Sequence, residues 1–179
     1  KQFSNNNLVI NFADIAKNTG SYFGDIIYPT AKVSQKQFED IIFNKLYFSN
    51  KNTVYLESES KRIGNIFIRD DLFYAMLKGK HYFIKADLDQ RSKRIYIDYI
   101  KNNSRFSKNE IIKKLDYFSK KFGKEKIKEL KKLIYDDEYI EVIKKLLINY
   151  YDPLYKKSIE KYKPYDKVIN KEDLWDILK

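Results

Sequence analysis

Short apolar runs alternate with amphipathic segments through the first hundred residues, and this alternation constrains the fold more than any other feature of the sequence. Runs with the β-branched and aromatic content of buried strands occupy residues 8–12, 53–56 and 82–86. Helical spacing of apolar residues is found at residues 35–48, 70–77 and 88–101. Because strands that alternate with helices are typical of a parallel sheet covered on both faces, the sequence predicts an α/β core.

Polar residues at the predicted starts of these helices have the types that cap a helix. Ser34, with Gln37 three residues later, has the pattern of a capping box. Asp70 or Asp71 is expected to cap the helix that follows. The two predicted caps give the expected starting points of both helices.

Beyond residue 100 the alternation stops, and consecutive helices are predicted instead. They occupy residues 107–122, 124–134 and 137–150, and Pro153 can begin a further short helix. Residues 167–169 are expected to return to the sheet, before a final helix that contains Trp175. The predicted organisation is therefore a helical, basic subdomain at residues 101–150 within an α/β core at residues 1–100 and 151–179.

Positive charge is concentrated in the predicted helical subdomain. The chain has 36 Lys and Arg against 25 Asp and Glu, and residues 101–132 alone contain 12 basic and 4 acidic side chains. Such a surface suits a polyanion such as RNA. The lysine excess, with abundant Ile, Asn and Tyr, also fits AT-rich codon usage, so both explanations of the charge stay open.

Arginines are few, and their guanidinium groups are suited to planar, bidentate binding of phosphate or carboxylate. They stand at Arg62, Arg69, Arg91, Arg94 and Arg105. Arg91 and Arg94 lie three residues apart, so they share one face of a predicted helix and could clamp a polyphosphate. The alternative is a salt-bridged surface in which they pair with Asp87, Asp89 or Asp98.

The composition excludes several classes of site. The chain contains no Cys, so it has no thiol nucleophile, disulfide or Cys-based metal site, and His81 has no second His to help it bind a metal. No apolar run approaches the ~18 residues of a membrane span, and no secretory signal is evident. We expect a cytoplasmic protein without a membrane partner and, because it begins without Met, an N-terminally truncated one.

The strongest local motif directly follows the strand predicted at residues 53–56. It is the run Glu57-Ser58-Glu59-Ser60-Lys61-Arg62-Ile63-Gly64. Ligands of open parallel sheets bind beyond the carboxyl ends of the strands, so carboxylates, hydroxyls and cations here could hold Mg²⁺, a phosphate or both. Gly64 would let the backbone approach such a ligand closely. The alternative is a solvated acidic turn with local ion pairs.

Aromatic rings surround the helix break that is predicted at Pro153. They belong to Tyr150, Tyr151 and Tyr155. Rings of this kind can stack on unpaired bases or on an apolar ligand chain. They are equally typical of packing between helices, and the chain has 16 Tyr in all.

Several short motifs occur in a fixed order along nearly the whole chain. They are Gly20-Ser21-Tyr22-Phe23-Gly24, Ser34-Gln35 with Phe38-Glu39, Glu59-Ser60-Lys61-Arg62-Ile63-Gly64, Arg91 and Arg94 with Asp98-Tyr99, Phe122-Gly123-Lys124, and Tyr150-Tyr151-Asp152-Pro153-Leu154-Tyr155. This ordered set resembles the C-terminal part of the tRNA 2-selenouridine synthase family.

The resemblance implies a P-loop NTPase-like core whose Walker A motif and preceding rhodanese domain lie upstream or in a separate chain. No G-x-x-x-x-G-K-[ST] motif occurs in this sequence. Enzymes of this family replace sulfur by selenium in wobble 2-thiouridine of tRNA. The resemblance further implies an S-geranyl intermediate, with geranyl diphosphate and selenophosphate as co-substrates and Mg²⁺ as a further candidate.

Roles for individual residues are implied by the same resemblance. Glu57, Glu59 and Arg62 are the candidate catalytic residues, and the two glutamates are also the candidate Mg²⁺ ligands. Phosphate or diphosphate binding is expected of Gly20, Ser21, Ser60, Lys61, Arg62, Gly64, Arg91 and Arg94. Contacts to tRNA or to the isoprenoid are expected of Arg105, Lys113, Lys114, Lys120, Lys121, Tyr150, Tyr151 and Tyr155.

Two other functions are compatible with the sequence. Lysine-rich helices would suffice for a non-catalytic RNA-binding module. An acidic strand end followed by an Arg-x-x-Arg helix also suits a P-loop kinase-like phosphotransferase. An upstream Walker A motif would support either P-loop function, and a rhodanese domain before it would select the synthase.

Overall fold

The computed structural model describes residues 7–28, 33–58, 60–103 and 106–171. The chain divides into an α/β unit, from residues 1–85 and 162–179, and a helical unit, from residues 86–161. The helices predicted at residues 101–150 lie inside the helical unit, which further helices extend on both sides. Trp175, expected in a final helix, lies outside the described residues.

Short strands and four helices form the described part of the α/β unit. The strands are β1 (Leu8–Ile10), β2 (Val54–Leu56), β3 (Arg62–Ile63), β4 (Ile66–Phe67), β5 (Tyr82–Lys85) and β6 (Lys167–Asn170). The helices are α1 (Phe12–Ala16), α2 (Gly24–Ile27), α3 (Gln35–Tyr47) and α4 (Asp70–Lys78).

Two of the three strand pairs are parallel. β1 pairs with β2 and β5 pairs with β6 in parallel, whereas β3 and β4 form an antiparallel hairpin. The predicted mixed α/β fold with parallel strands is therefore confirmed. The strand expected near the end of the chain is also present, as β6. Among the described residues, however, the strands form three two-stranded ladders and not one continuous sheet.

Helix α3 begins at a capping box, as predicted. The Ser34 Oγ accepts a hydrogen bond from the backbone N–H of Gln37 at 3.2 Å, and the Gln37 side chain accepts one from the backbone N–H of Ser34 at 2.9 Å. Phe38 and Ile42, one turn apart on the same face of the helix, are buried. The capped first turn and the buried face together fix α3 on the core.

Two other helix starts differ from the predictions. The strand predicted at residues 8–12 stops early because the Asn11 side chain caps α1, accepting a hydrogen bond from the N–H of Asp14 at 2.8 Å. The prediction that Asp70 or Asp71 caps α4 is wrong, because both residues lie within its first turn. Carboxylates are favourable there since they face the positive end of the helix dipole.

The core of the α/β unit draws apolar side chains from strands, helices and the hairpin. It contains Ile10, Phe12, Ile15, Phe38, Ile42, Ile63, Ile66, Ile68 and Met76. The rings of Phe12 and Phe38 lie 6.1 Å apart between centroids, which joins the start of α1 to α3. The hairpin is thereby attached to the same core as the parallel pair of β1 and β2.

The hairpin of β3 and β4 divides its side chains between the core and solvent. Ile63 and Ile66 are buried, whereas Arg62 and Phe67 are exposed. Gly64 begins the two-residue turn with a φ of +60°, a backbone conformation that favours glycine. This hairpin was not predicted, although a Gly-Asn pair between apolar residues is a known signal for one.

The helical unit has its own core. Its helices are α5 (Leu88–Tyr96), α6 (Lys108–Leu115), α7 (Ser119–Phe122), α8 (Lys124–Tyr135), α9 (Tyr139–Leu146) and α10 (Asp152–Lys161). α5 packs on α9, and α8 packs on α6, α7 and α9. The buried side chains include Ile111, Leu115, Phe118, Ile127, Leu130, Ile134, Val142 and Leu146. These residues are the apolar positions whose periodicity predicts the helices.

A π-helical turn joins α9 to α10. The turn, Leu147–Tyr151, runs directly into Asp152 and Pro153, so the chain is helical from Tyr139 to Lys161. Proline within an α-helix lacks a donor and clashes with the carbonyl four residues before it, and a wider turn relieves that clash. The break predicted at Pro153 is therefore a local widening of the helix. Throughout the described ranges, no helix is long and apolar enough to cross a membrane.

Candidate anion-binding site

Two arginines are already occupied by carboxylates. Arg69 donates to both oxygens of Asp71, from Nε at 3.2 Å and from Nη2 at 2.8 Å. Arg91 donates to both oxygens of Asp152, at 2.6 and 3.0 Å. A guanidinium that holds a carboxylate through two hydrogen bonds has little capacity for a second anion.

Arg62 and Arg94 differ from this pair, because neither makes an ion pair with a described carboxylate. Both side chains are exposed. Arg105 lies outside the described residues. The arginines that remain available to an external anion within the described chain are thus Arg62, in the α/β unit, and Arg94, in the helical unit.

The hairpin that carries Arg62 also holds its guanidinium in place. The Nε donates a hydrogen bond to the carbonyl of Gly64 at 2.8 Å, and the guanidinium carbon lies 5.5 Å from the centroid of the Phe67 ring. A cation over an aromatic face is attracted by the ring quadrupole. Neither contact uses the two terminal nitrogens, which carry four of the five N–H groups. Arg62 therefore combines a fixed position with donors that no described residue occupies.

Two neighbours of Arg62 that were expected to bind phosphate have partners within the α/β unit. The Lys61 Nζ lies 2.5 Å from a carboxylate oxygen of Asp70, and this hydrogen bond raises the pKa of Lys61. The Ser60 hydroxyl donates to the carbonyl of Arg62 at 2.6 Å. The charge of Lys61 is thus compensated by Asp70, whereas Ser60 supports the backbone of the hairpin.

The loop after α1 contacts the turn of the hairpin. Gly64 lies so close to the Asn18 side chain that a Cβ at Gly64 would overlap the Asn18 amide nitrogen. The Asn18 Oδ1 accepts the N–H of Gly20 at 2.8 Å, and the Ser21 Oγ accepts the N–H of Phe23 at 3.1 Å. The loop that carries Gly20 and Ser21 thus lies against the hairpin, but the Gly20 N–H is used within the loop and does not point to a phosphate cradle.

Glu57 has a structural partner at the end of β2. Its Oε2 accepts hydrogen bonds from the backbone N–H groups of Phe12 at 3.0 Å and Ala13 at 3.3 Å, which caps α1 with a negative charge. Glu59 lies outside the described residues. No three described His, Asp or Glu side chains are grouped closely enough to hold a metal ion. The binding of Mg²⁺ by Glu57 and Glu59 stays a prediction.

Arg91 and Arg94 stand on α5 in the helical unit, apart in sequence and in unit from Arg62. The carboxylate that binds Arg91 is Asp152 and not one of the three aspartates near it in sequence. The long-range pair joins α5 to the start of α10. Arg91 thus makes a long-range ion pair that the residues near it in the sequence do not indicate.

Ion pairs divide the lysines of the helical unit into two groups. Paired lysines include Lys131 with Asp116 at 2.7 Å, Lys144 with Asp89 at 2.7 Å and Lys145 with Glu129 at 2.9 Å. Hydrogen bonding to Lys145 lowers the pKa of Glu129. Lys113, Lys120 and Lys121 are exposed and make no ion pair with a described carboxylate, while Lys114 is half-buried and has other interactions. The uncompensated charge among these candidates is therefore on α6 and α7.

The predicted tyrosine cluster contains both packed and exposed rings. Tyr150 meets the buried ring of Phe118 edge to face at 4.8 Å between centroids, and burial raises the pKa of Tyr150. The Lys121 Nζ lies 4.6 Å from the centroid of the Tyr150 ring. Tyr151 stacks on Tyr155 at 6.4 Å, and Tyr155 is about half exposed (48%). Tyr150 thus packs in the unit, and Tyr155 presents a ring to solvent.

Gln35 and Phe67 contribute to the site without having been predicted. The ring of Phe67 lies under the guanidinium of Arg62, and Gln35 makes two hydrogen bonds to the backbone of Phe67. Gln35 belongs to one of the motifs that carry the family resemblance, but its partner lies 32 residues away. The missed hairpin signal at Gly64 could have placed Phe67 opposite Arg62, but no local signal joins Gln35 to Phe67.

A family model matches nearly the whole chain. The family model described as the tRNA 2-selenouridine synthase AAA domain matches residues 2–178. Comparisons with curated proteins and with solved structures found no match.

Proposed function

The chain belongs to the tRNA 2-selenouridine synthase AAA-domain family, and on this premise we propose that it provides the diphosphate-binding and tRNA-binding surfaces of such a synthase. Membership supports a role in tRNA selenouridine synthesis, with tRNA as the substrate. The proposal adds the route: transfer of a geranyl group from geranyl diphosphate to the tRNA sulfur, followed by selenium from selenophosphate.

The state of Arg62 is the observation that carries the proposal. Among the described arginines, Arg62 is the one that both lacks a carboxylate partner and is held by two neighbours, Gly64 and Phe67. A fixed guanidinium stabilises an anion without losing much side-chain entropy when the anion binds. This part of the hairpin is therefore the proposed diphosphate site.

The chemistry of geranyl transfer makes use of such a cation. A sulfur–carbon bond forms as the sulfur of 2-thiouridine attacks the geranyl carbon, and the carbon–oxygen bond to the diphosphate breaks. Negative charge then develops on the leaving diphosphate, where a preorganised donor lowers the barrier. The selenium of selenophosphate then attacks the same uridine carbon, the alkylated sulfur leaves as geranyl thiol more readily than a thiocarbonyl sulfur would, and water cleaves the selenium–phosphorus bond to release phosphate. In this proposal Arg62 provides positive charge at the leaving diphosphate.

The helical unit provides the proposed tRNA surface. Lys113, Lys120 and Lys121 are exposed lysines without a described carboxylate partner, so they can neutralise phosphates. The exposed ring of Tyr155 can stack on an unpaired base or cover an isoprenoid chain. Arg94 adds a further exposed guanidinium to this unit.

The diphosphate site is tested by removing single arginines. Inorganic pyrophosphate is titrated into the chain by calorimetry, for the wild type, Arg62→Ala and Arg69→Ala. Because a charge-assisted hydrogen bond is lost, we expect Arg62→Ala to weaken binding about tenfold or more. Arg69→Ala is the matched control: it removes the same charge from a nearby position, but Asp71 already occupies that guanidinium.

Equal losses in the two variants would show a diffuse charge effect and would refute the site at Arg62. A second assay measures geranyl transfer to 2-thiouridine tRNA after a Walker A portion and a rhodanese portion have been added to the chain. It distinguishes the synthase from the non-catalytic RNA-binding module. A variant that loses transfer but keeps tRNA affinity supports the synthase. Loss of tRNA affinity alone would favour the plain RNA-binding module.

A further inference from the structure

Gln35 forms a two-way bridge to the outer edge of the hairpin. Its Nε2 donates to the carbonyl of Phe67 at 2.7 Å, and its Oε1 accepts the N–H of Phe67 at 2.8 Å. These are the two hydrogen bonds that a neighbouring strand would exchange with Phe67. A single side chain thus takes the place of a strand beside β4.

The orientation of the Gln35 amide is set by a second contact. The Nε2 also donates to Oε1 of Glu39 at 2.6 Å, one turn further along α3. An ionised carboxylate only accepts, so it selects the nitrogen end of the amide and leaves the oxygen for the N–H of Phe67. The capping box formed by Ser34 and Gln37 fixes the same turn of the helix.

Phe67 connects this bridge to the proposed anion ligand. Its backbone is bound by Gln35, and its ring lies under the guanidinium of Arg62. Register places Arg62 and Phe67 directly opposite each other in the hairpin. The path from α3 to Arg62 thus consists of two contacts, one of hydrogen bonds and one between a cation and a ring.

We infer that Gln35 is a positioning residue for Arg62, acting through Phe67. This inference rests on the proposed function, in which Arg62 binds the diphosphate. Gln35 holds the edge of β4 on the rigid first turn of α3, so the Phe67 ring stays where it supports the guanidinium. Without Gln35 the hairpin keeps its buried isoleucines, but its outer edge is released and Arg62 has to be ordered by the ligand.

The first measurement needs no ligand. A cation that lies over an aromatic face is shifted upfield by the ring current, so the Nε–H proton of Arg62 reports its position over Phe67 by NMR. We expect Phe67→Leu to abolish this shift and Gln35→Ala to reduce it. Gln37→Ala is the matched control, since it perturbs the same helical turn without touching Phe67. An unchanged Arg62 signal in Gln35→Ala would overturn the inference.

The second measurement is a double-mutant cycle on pyrophosphate affinity. Gln35→Ala is expected to weaken binding about three- to tenfold in the wild-type background and not at all in the Arg62→Ala background, since the effect passes through Arg62. Equal losses in both backgrounds would show a general structural effect and overturn the inference. If the wild type binds no pyrophosphate, the proposed function fails, while the NMR result still decides whether Gln35 positions Arg62.

Discussion

The carboxylate of Asp152 is bound by the guanidinium of Arg91 through two hydrogen bonds, although the residues are 61 positions apart. The side chains are 30% and 40% exposed, so the pair is only partly screened by water. The Arg91 Nε is buried and has no hydrogen-bond partner among the described residues. Burial of this cation therefore depends on Asp152.

We predict that Asp152→Ala destabilises the helical unit by about 1–2 kcal/mol, between the values for exposed and buried ion pairs. Asp152→Asn keeps one acceptor and is expected to cost less. Urea unfolding followed by circular dichroism measures both. If Asp152→Ala is no less stable than the wild type, the pair does not stabilise the junction of α5 and α10.

Leu130 tests the core of the helical unit. It is fully buried (0% exposed) on α8, so Leu130→Ala is expected to lower the free energy of unfolding by about 2–5 kcal/mol. The control is Ile148→Ala, which shortens an aliphatic side chain that is 53% exposed and should cost about 1 kcal/mol or less. Comparable losses in the two variants would contradict the packing of α8 against its neighbours.

Substitutions at two glycines distinguish the stability cost of backbone strain from that of a close contact. Gly20 and Gly64 have similar φ values, +69° and +60°, but a Cβ would find open space at Gly20 and the Asn18 amide at Gly64. Gly20→Ala is expected to cost about 1–2 kcal/mol from the backbone alone. Gly64→Ala should cost more, because Asn18 is held by Gly20 and cannot withdraw freely. Thermal unfolding of the two variants measures the difference, and equal costs would rule out the contact.

The stability of the helical unit is expected to fall at alkaline pH through Tyr139. Burial and a hydrogen bond to Asp137 raise the pKa of Tyr139 above its ordinary value of about 10. A group with a raised pKa in the folded state stabilises the fold below its unfolded pKa, and this stability is lost as the pH rises through the folded pKa. Tyr139→Phe should therefore show a smaller loss of stability above pH ~10.

Tyr139→Phe is still expected to lose some stability at alkaline pH, and a second residue accounts for this remaining loss. Asp137 also raises the pKa of Lys108, and the contribution of Lys108 to stability is likewise lost as the pH rises. The difference between wild type and Tyr139→Phe in chemical unfolding at several pH values measures the tyrosine together with its own effect on the pKa of Lys108. Parallel pH profiles would show that Tyr139 does not titrate with unfolding.

Paired and unpaired lysines give a test of the tRNA surface. Replacing Lys120 and Lys121 by Gln should weaken tRNA binding and lower the slope of log affinity against log salt by about 2, since two phosphate contacts are lost. Replacing Lys144 and Lys145 removes the same charge from residues that bind Asp89 and Glu129. Filter binding at several salt concentrations compares the two. Equal slopes for both double variants would contradict a surface on α7.

Local patterns predicted much of the secondary structure, because neighbouring residues decide it. The capping box at Ser34 and the amphipathic periodicity of α8 are complete within one turn or one helix, and both are confirmed. The hairpin at Gly64 was also a local signal, and it was overlooked. The π-helical turn before Pro153 could not be foreseen, because it depends on how the helix relieves one clash.

The partners of the candidate site residues depend on contacts far apart in the sequence. Glu57 was expected to bind a ligand, and the fold gives it the N–H groups of α1 some 45 residues away. The motifs indicated Arg62 as one of several cations, but only the structure shows that Arg69 and Arg91 are held by carboxylates. No spacing rule joins Gln35 to Phe67.

The sequence by itself determined the alternation of strands and helices, the basic helical segment and the membership of a family, because each of these is written in residue order and composition. The tertiary structure decided which charged groups neutralise one another and which stay available. The reason is that an ion pair or a cation over a ring forms only where folding brings two distant side chains within a few ångströms.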